Sequence, residues 1–280
     1  MSKEKEMSFL DHLEELRWHV VRSAAAILIF TFVAFFFVHW IYDNIIFAPA
    51  RIDFPTFKYL CKLGNLVGAE ESLCVKPFHF KVQSRNMTGQ FMMSITSSFV
   101  IGLIVAFPYV FWEIWRFIKP GLYRTEKSSS RGAVFAVSFL FLLGVLFGYY
   151  VLSPMTIWFL STYSISSMIV NEFDITSYVS TIVGMVIGCG LLFQFPVVVY
   201  FLTKIGLLTP QFMRKFRKHA IVVILILGAV ITPSPDPFSQ MLIALPLYFL
   251  FEISIFISAL EVKRKQKAEE AELMAEQQKN

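Results

Sequence analysis

The ten residues Phe117-Ile-Lys-Pro-Gly-Leu-Tyr-Arg-Thr-Glu126 form a polar turn set between two long apolar runs. Pro120 and Gly121 interrupt any helix that reaches them, because proline lacks the backbone donor and glycine is entropically loose. The turn leaves Tyr123, Arg124 and the Glu126 carboxylate just beyond the apolar segments on either side. The flanking runs scaffold this loop and face it with a second acidic stretch, His12-Leu-Glu-Glu-Leu-Arg17.

Composition assigns the scaffold to a membrane. Of 280 residues, 56% are hydrophobic, 31 are phenylalanine and only 16% are charged, against roughly 25% charged in a soluble domain. Mean hydropathy is +0.62. The apolar runs are too long for barrel strands, and lipid satisfies no backbone groups, so the expected fold is an all-α membrane protein. The formal net charge of +5 sits in short basic blocks beside apolar runs. That fits the positive-inside bias and not nucleic-acid binding.

Six spans are expected, at about 21–42, 90–111, 131–152, 177–202, 220–231 and 238–260. The segment before them, 1–20, reads as an amphipathic surface helix from about residue 8. Ser8 is a candidate cap, and Asp11, Glu14 and Glu15 lie in its first turns. Glu14 and Glu15 flank its apolar face, and periodicity does not say which one works. This start does not read as a cleavable signal. Residues 43–89 form a polar, turn-rich loop. The fourth run contains Pro196. The fifth has twelve residues and spans roughly 18 Å, short of the hydrocarbon thickness; Thr232-Pro-Ser-Pro-Asp-Pro237 stops it. Residues 261–280 are a charged tail read as disordered.

Lysine and arginine gather near the N-terminus, around 116–131, around 204–218 and in the tail. Both termini are therefore placed in the cytoplasm, with loop 43–89 outside. In that outer compartment a disulfide between Cys61 and Cys74 is permitted, although spacing alone does not bring the sulfurs within reach. Cys189, inside the fourth run, reads as a buried apolar residue. Asn86-Met-Thr88 matches a glycosylation acceptor by chance.

No nucleophile motif, phosphate loop or metal-ligand spacing is present, and the five histidines are scattered, so an enzyme and a cofactor are not expected. What stands out are carboxylates and amides in unusual places. Glu15 and Glu126 read either as ordinary solvated charges or as a pair able to grip guanidinium groups bidentately, a geometry lysine does not reproduce. Gln194, in mid-span, calls for a partner across helices. Glu252 fits a snorkelling position at the inner end of the last run. Asp236 and Gln240 lie at the outer mouth. An ion-coupled small-solute transporter using Gln194, Asp236 and Glu252 is the rival reading; the absence of visible repeats and the scarcity of mid-depth charge speak against it.

Taken in order along the chain, Ser8-Phe-Leu-Asp-His-Leu-Glu-Glu-Leu-Arg17, Trp115-Arg-Phe-Ile-Lys-Pro-Gly-Leu-Tyr-Arg-Thr-Glu126, Phe193-Gln-Phe-Pro196, Leu208-Thr-Pro210, Thr232-Pro-Ser-Pro-Asp-Pro-Phe-Ser-Gln240 and Leu250-Phe-Glu252 resemble the TatC family. This is the multi-span receptor family of the twin-arginine protein translocase. The resemblance implies six transmembrane helices with both ends inside, the last two short, in a bacterial cytoplasmic membrane. It selects Glu15 over Glu14, and with Glu126 makes a receptor for the paired arginines of signal peptides on folded precursor proteins. Arg17, Phe117, Pro120 and Tyr123 shape that site. It further implies an oligomeric complex with TatA/TatB-type single-span subunits, driven by the proton-motive force. Gln194, Asp236, Gln240 and Glu252 are the polar contacts to partner helices. Gln194 stands where many members carry glutamate, and loop 43–89 is longer than the family leads one to expect.

Overall fold

A computed structural model describes residues 9–68, 74–75, 80–118, 130–166, 168–231 and 237–277. The expected site residues Pro120, Tyr123, Glu126 and Asp236 lie outside them. Among the described residues five helical stretches are long and apolar enough to cross a membrane: Glu14–Phe36, Gly89–Phe117, Val134–Thr162, Ile175–Lys204 and Ser239–Lys267. A sixth helix, Arg217–Ile231, is apolar but has only 15 residues, about 22 Å of rise. It corresponds to the short fifth run, extended at its start by Arg217, Lys218 and His219.

Helix α1 runs from Phe9 to Phe36 without a break. The sequence divides a surface helix ending at residue 20 from a span beginning at 21. The structure joins them, because no glycine or proline occurs between Phe9 and Phe36. The change in polarity marks where the helix enters lipid, not where it ends. Beyond Phe36 the chain tightens through α2 (Val38–Ile41), a π-helical turn (Tyr42–Ile46) and a 3-10 turn (Ala48–Ala50). Pro49 donates nothing to the carbonyl of Ile45; the Tyr149 hydroxyl donates to it at 2.9 Å, and that of Tyr178 to the Ile46 carbonyl at 3.0 Å.

The loop expected at 43–89 is substantially built. Helix α3 (Pro55–Val67) ends at Gly68, whose φ of 73° is the left-handed conformation that glycine adopts without penalty. Phe54 and Phe57 are buried beneath it, and Phe54 stacks on Tyr150 at 5.5 Å. Cys61 and Cys74 form a disulfide. Farther on, β1 (Lys81–Gln83) pairs in parallel with β2 (Glu172–Asp174), Val82 opposite Phe173. This ribbon ties the loop after the first span to the entry of the fourth.

Helix α4 (Gly89–Ile118) carries Pro108 in its interior. Helix α5 (Ser130–Phe147) passes through a π-helical turn (Gly148–Leu152) into α6 (Ser153–Thr162). The sequence ends the third span at Ser153-Pro154, whereas the helix continues. Pro154 sits in the first turn of α6, where its missing donor costs little, and the Ser153 hydroxyl caps the Gly148 carbonyl at 2.8 Å. Asp174 caps α7 (Ile175–Leu192), its carboxylate accepting from the Thr176 amide at 2.9 Å. A tight turn at Phe193 and Gln194 then starts α8 (Phe195–Lys204), with Pro196 in its first turn. The short α9 (Pro210–Lys215) leads to α10, which is Arg217–Ile231, and α11 (Pro237–Gln277) closes the chain.

Of the two final helices expected to be short, α10 is short and α11 is not. Its 41 residues take in most of the tail read as disordered. Residues 261–277 hold no helix breaker and are rich in glutamate, lysine, alanine and glutamine, all strong helix formers.

Helix α1 lies along α4, α5 along α7, and α11 along both α8 and α10. Two apolar cores result. One holds Ala34, Phe141, Tyr178 and Ile182 below the α3 cap, and the other holds Met185, Phe193, Ile243 and Phe251. Large apolar side chains such as Leu28, Phe32, Phe36, Phe139 and Phe249 point outward, as they do when the surroundings are lipid.

Candidate functional site

The buried charged residue among the described ones, Glu113, lies at the end where α1 begins and α4 finishes. On α1, Glu14 is exposed and Glu15 is half-buried. Glu15 stands one helical turn before His19, on the same face, since residues four apart lie nearly above one another. His19 is buried against α4. Its Nδ1 lies 2.5 Å from Oε2 of Glu113, itself only 1% exposed.

The other Glu113 oxygen, Oε1, accepts the hydroxyl of Tyr109 at 2.9 Å. One turn toward the end of α4, the Phe117 ring meets the His19 ring edge-on, with centroids 6.1 Å apart. Tyr109, Glu113 and Phe117 thus make one stripe, spaced by four, along the face of α4 that receives α1. Burial of a carboxylate this complete is tolerated because both oxygens are paired. Arg17 is exposed, and the guanidinium of Arg116 lies 5.8 Å over the Trp112 ring.

Of the residues expected to form a site, the structure brings Glu15 and Phe117 to this corner, both flanking His19, and leaves Arg17 facing outward. Glu113 and His19 were not singled out by sequence. The signal was faint: Glu113 falls just past the expected end of the second run at about residue 111, where a carboxylate between aromatic and apolar neighbours is as easily read as an interfacial charge. Its partner lies 94 residues away, and no local pattern links them.

Gln194, Gln240 and Glu252 each find a partner within the chain. Gln194, at the turn between α7 and α8, donates through Nε2 to the Val137 carbonyl of α5 at 3.1 Å. Its Oε1 is buried without a hydrogen-bond partner among the described residues. Gln240 donates to the Leu225 carbonyl at 2.9 Å, joining α10 to α11. Glu252 does not merely snorkel: Arg217 reaches it at 2.7 Å and the Tyr248 hydroxyl at 3.2 Å. That contact ties the start of α10 to α11.

A polytopic helical bundle with one carboxylate, Glu113, buried between its first two spans defines the class, and comparison with known proteins defines the family. The sequence profile described as "TatC: Sec-independent protein translocase protein (TatC)" matches residues 11–246. The Sec-independent protein translocase protein TatC of Blattabacterium sp. subsp. Periplaneta americana is 42% identical over 267 residues, covering 95% of this chain and 100% of that one. That of Aquifex aeolicus is 30% identical over 266 residues, with 95% and 100% covered. Two crystal structures of the twin-arginine translocase receptor TatC superpose with TM-scores of 0.65 and 0.69. They are 30% and 31% identical, and cover 90% and 88% of this chain and 99% of each receptor chain. The chain belongs to the TatC family, a multi-pass membrane component of the Sec-independent, twin-arginine protein translocase.

Proposed function

We propose that this chain receives twin-arginine signal peptides of folded precursor proteins at the cytoplasmic face of a bacterial inner membrane, with Glu15 and Glu126 as the carboxylates that take the two guanidinium groups. The observation that carries the reading is the placement of Glu15. It is the half-buried acid of the Glu14/Glu15 pair, one turn before His19, which is paired with Glu113 near the end of α4 from which the chain runs on to Glu126. Phe117, packed on His19 at that exit, supplies an apolar wall, and Pro120, Tyr123 and Arg17 complete the surroundings.

Carboxylates recognise arginine through paired, charge-assisted hydrogen bonds, and lysine offers only a point charge. Beside a membrane such pairs exceed the 0–1 kcal/mol typical of exposed ones. The apolar part of the signal then lies against the outward-facing side chains of the bundle. TatA/TatB-type single-span subunits assemble around it, meeting Gln194, Asp236 and Gln240, and the proton-motive force drives transport. The orphaned Oε1 of Gln194 supports a donor arriving from a partner helix. Glu252, already paired with Arg217, is withdrawn from such contacts, and this pairing also weakens the ion-coupled transporter reading.

The test is crosslinking of a twin-arginine precursor to the wild type and to the Glu15→Ala/Glu126→Ala variant in membranes. Loss of the crosslink with the variant still inserted is the expected result. An unchanged crosslink removes both residues from the receptor.

A further inference from the structure

We propose that the buried pair His19–Glu113 is a clamp that sets the rotation and register of α1 against α4, and thereby holds Glu15 in the geometry that distinguishes arginine from lysine. Both residues are positioning residues, and the inference rests on Glu15 being a signal-binding carboxylate.

The placement of the pair carries the argument. His19 is one turn from Glu15 on the same face of α1, about 6 Å along the axis. Glu113 is one turn before Phe117, at the end of α4 from which the loop leaves. One contact therefore anchors both halves of the receptor corner. Apolar packing between α1 and α4 is non-directional, and in lipid it gains nothing from excluding water. It tolerates rotation of one helix on the other. A hydrogen-bonded pair does not, and fixing register is the best-attested use of a buried polar pair.

Glu113 is bound on both oxygens, by His19 at 2.5 Å and Tyr109 at 2.9 Å, so it is occupied and is not a third acceptor for the peptide. Its ring partner is in turn seated on Phe117. Tyr109 and His19 thus hold the carboxylate from two sides, and Phe117 braces the His19 ring. A rotation of α1 that freed His19 would swing Glu15 by the same angle. A bidentate fork is lost with such a swing, while attraction to a point charge survives it.

The experiment uses the full chain in lipid nanodiscs and two labelled signal peptides, one with Arg-Arg and one with Lys-Lys. Its readout is the ratio of their affinities. The double variant His19→Leu/Glu113→Leu removes both polar partners together, which leaves neither one buried and unpaired. Its expected ratio is lower by about tenfold, the loss of one charge-assisted contact, with Lys-Lys binding little changed. Glu113→Gln, which keeps an acceptor for the ring and a contact for Tyr109, restores most of the ratio.

A protein merely less stable would lose both affinities alike, and that result overturns the clamp. An unchanged ratio in the double variant, with the ratio collapsed in Glu15→Gln, overturns the clamp and leaves the receptor reading standing. An unchanged ratio in Glu15→Gln overturns both. Should the leucine pair fail to insert, His19→Gln/Glu113→Gln carries the same readout, and a wild-type ratio there combined with a wild-type ratio in Glu113→Leu overturns the clamp.

Discussion

The hydroxyl of Thr56, on α3, donates a hydrogen bond to the backbone carbonyl of Tyr150. In an uninterrupted α-helix that carbonyl would be paired with the amide of residue 154, which is proline and has none. A side chain from the outer cap thus supplies what the third span's own sequence removes. Phe54, stacked on the Tyr150 ring, brings α3 to the same place.

Thr56→Val keeps the shape of the side chain and removes this donor. The cap should loosen from the third span by about 1 kcal/mol, the net worth of one hydrogen bond. Faster proteolysis within α3, with the spans themselves unaffected, is the outcome to look for in a limited digestion of the detergent-solubilised protein.

Gly102 on α4 faces the backbone of Thr31 on α1. A Cβ built there would lie 2.6 Å from the Thr31 amide nitrogen and 2.9 Å from its Cα. Gly102→Ala must therefore push the two helices apart, at a cost of about 1–3 kcal/mol. Thermal unfolding in detergent should fall accordingly, and Gly102→Leu should fall further; an unchanged midpoint in both would show that the helices do not pack this closely.

The carboxylate of Asp174 accepts from the Thr176 hydroxyl and from the backbone amides of Arg85 and Thr176. These bonds, the hydroxyl's first, hold its pKa below the ordinary carboxylate value. The sign follows from linkage: a depressed folded-state pKa gives stabilisation fully present above the unfolded pKa of about 3.9 and lost as pH falls through the folded value. Hydrogen exchange at β1 and β2 should be constant from neutral pH down to that range, after correction for intrinsic rates, and should accelerate below it. In Asp174→Asn the acid-dependent step should vanish.

Arg217 and Glu252 bridge α10 and α11 at 2.7 Å with both side chains partly exposed. A double-mutant cycle with alanine at each position should give a coupling of about 0.5–1 kcal/mol that shrinks as salt is added. A coupling insensitive to salt would mean that the two residues communicate through packing and not through charge.

The spans were legible because a bilayer core demands about 20 apolar residues in one run, a signal longer and cruder than any fold-specific pattern. The shortness of α10 was legible for the same reason, bounded by basic residues on one side and prolines on the other. The extent of α1 and α11 was misjudged because a change in polarity was taken for an end of helix. Lipid dictates which residues are apolar, whereas a helix can run on through a change of polarity when nothing in its backbone stops it, as in residues 9–36 and 261–277, which hold no glycine or proline. The β1–β2 ribbon was missed because three residues are too few to show a two-residue period.

Sequence by itself thus determined the class of the protein, the number and order of its membrane runs and, through motifs spread along the chain, its family. It also identified Glu15, Phe117 and the cysteine pair as residues to watch. Tertiary structure alone decided that Cys61 and Cys74 are joined, that Glu252 is taken by Arg217, that Tyr149 and Tyr178 serve the carbonyls of the first outer turn, and that Glu113 is buried against His19. Each of these depends on two residues far apart in the chain meeting at hydrogen-bonding or bonding distance. Local propensity and apolar periodicity are properties of neighbours in sequence, so they are silent about which distant side chains the packing of helices will bring together.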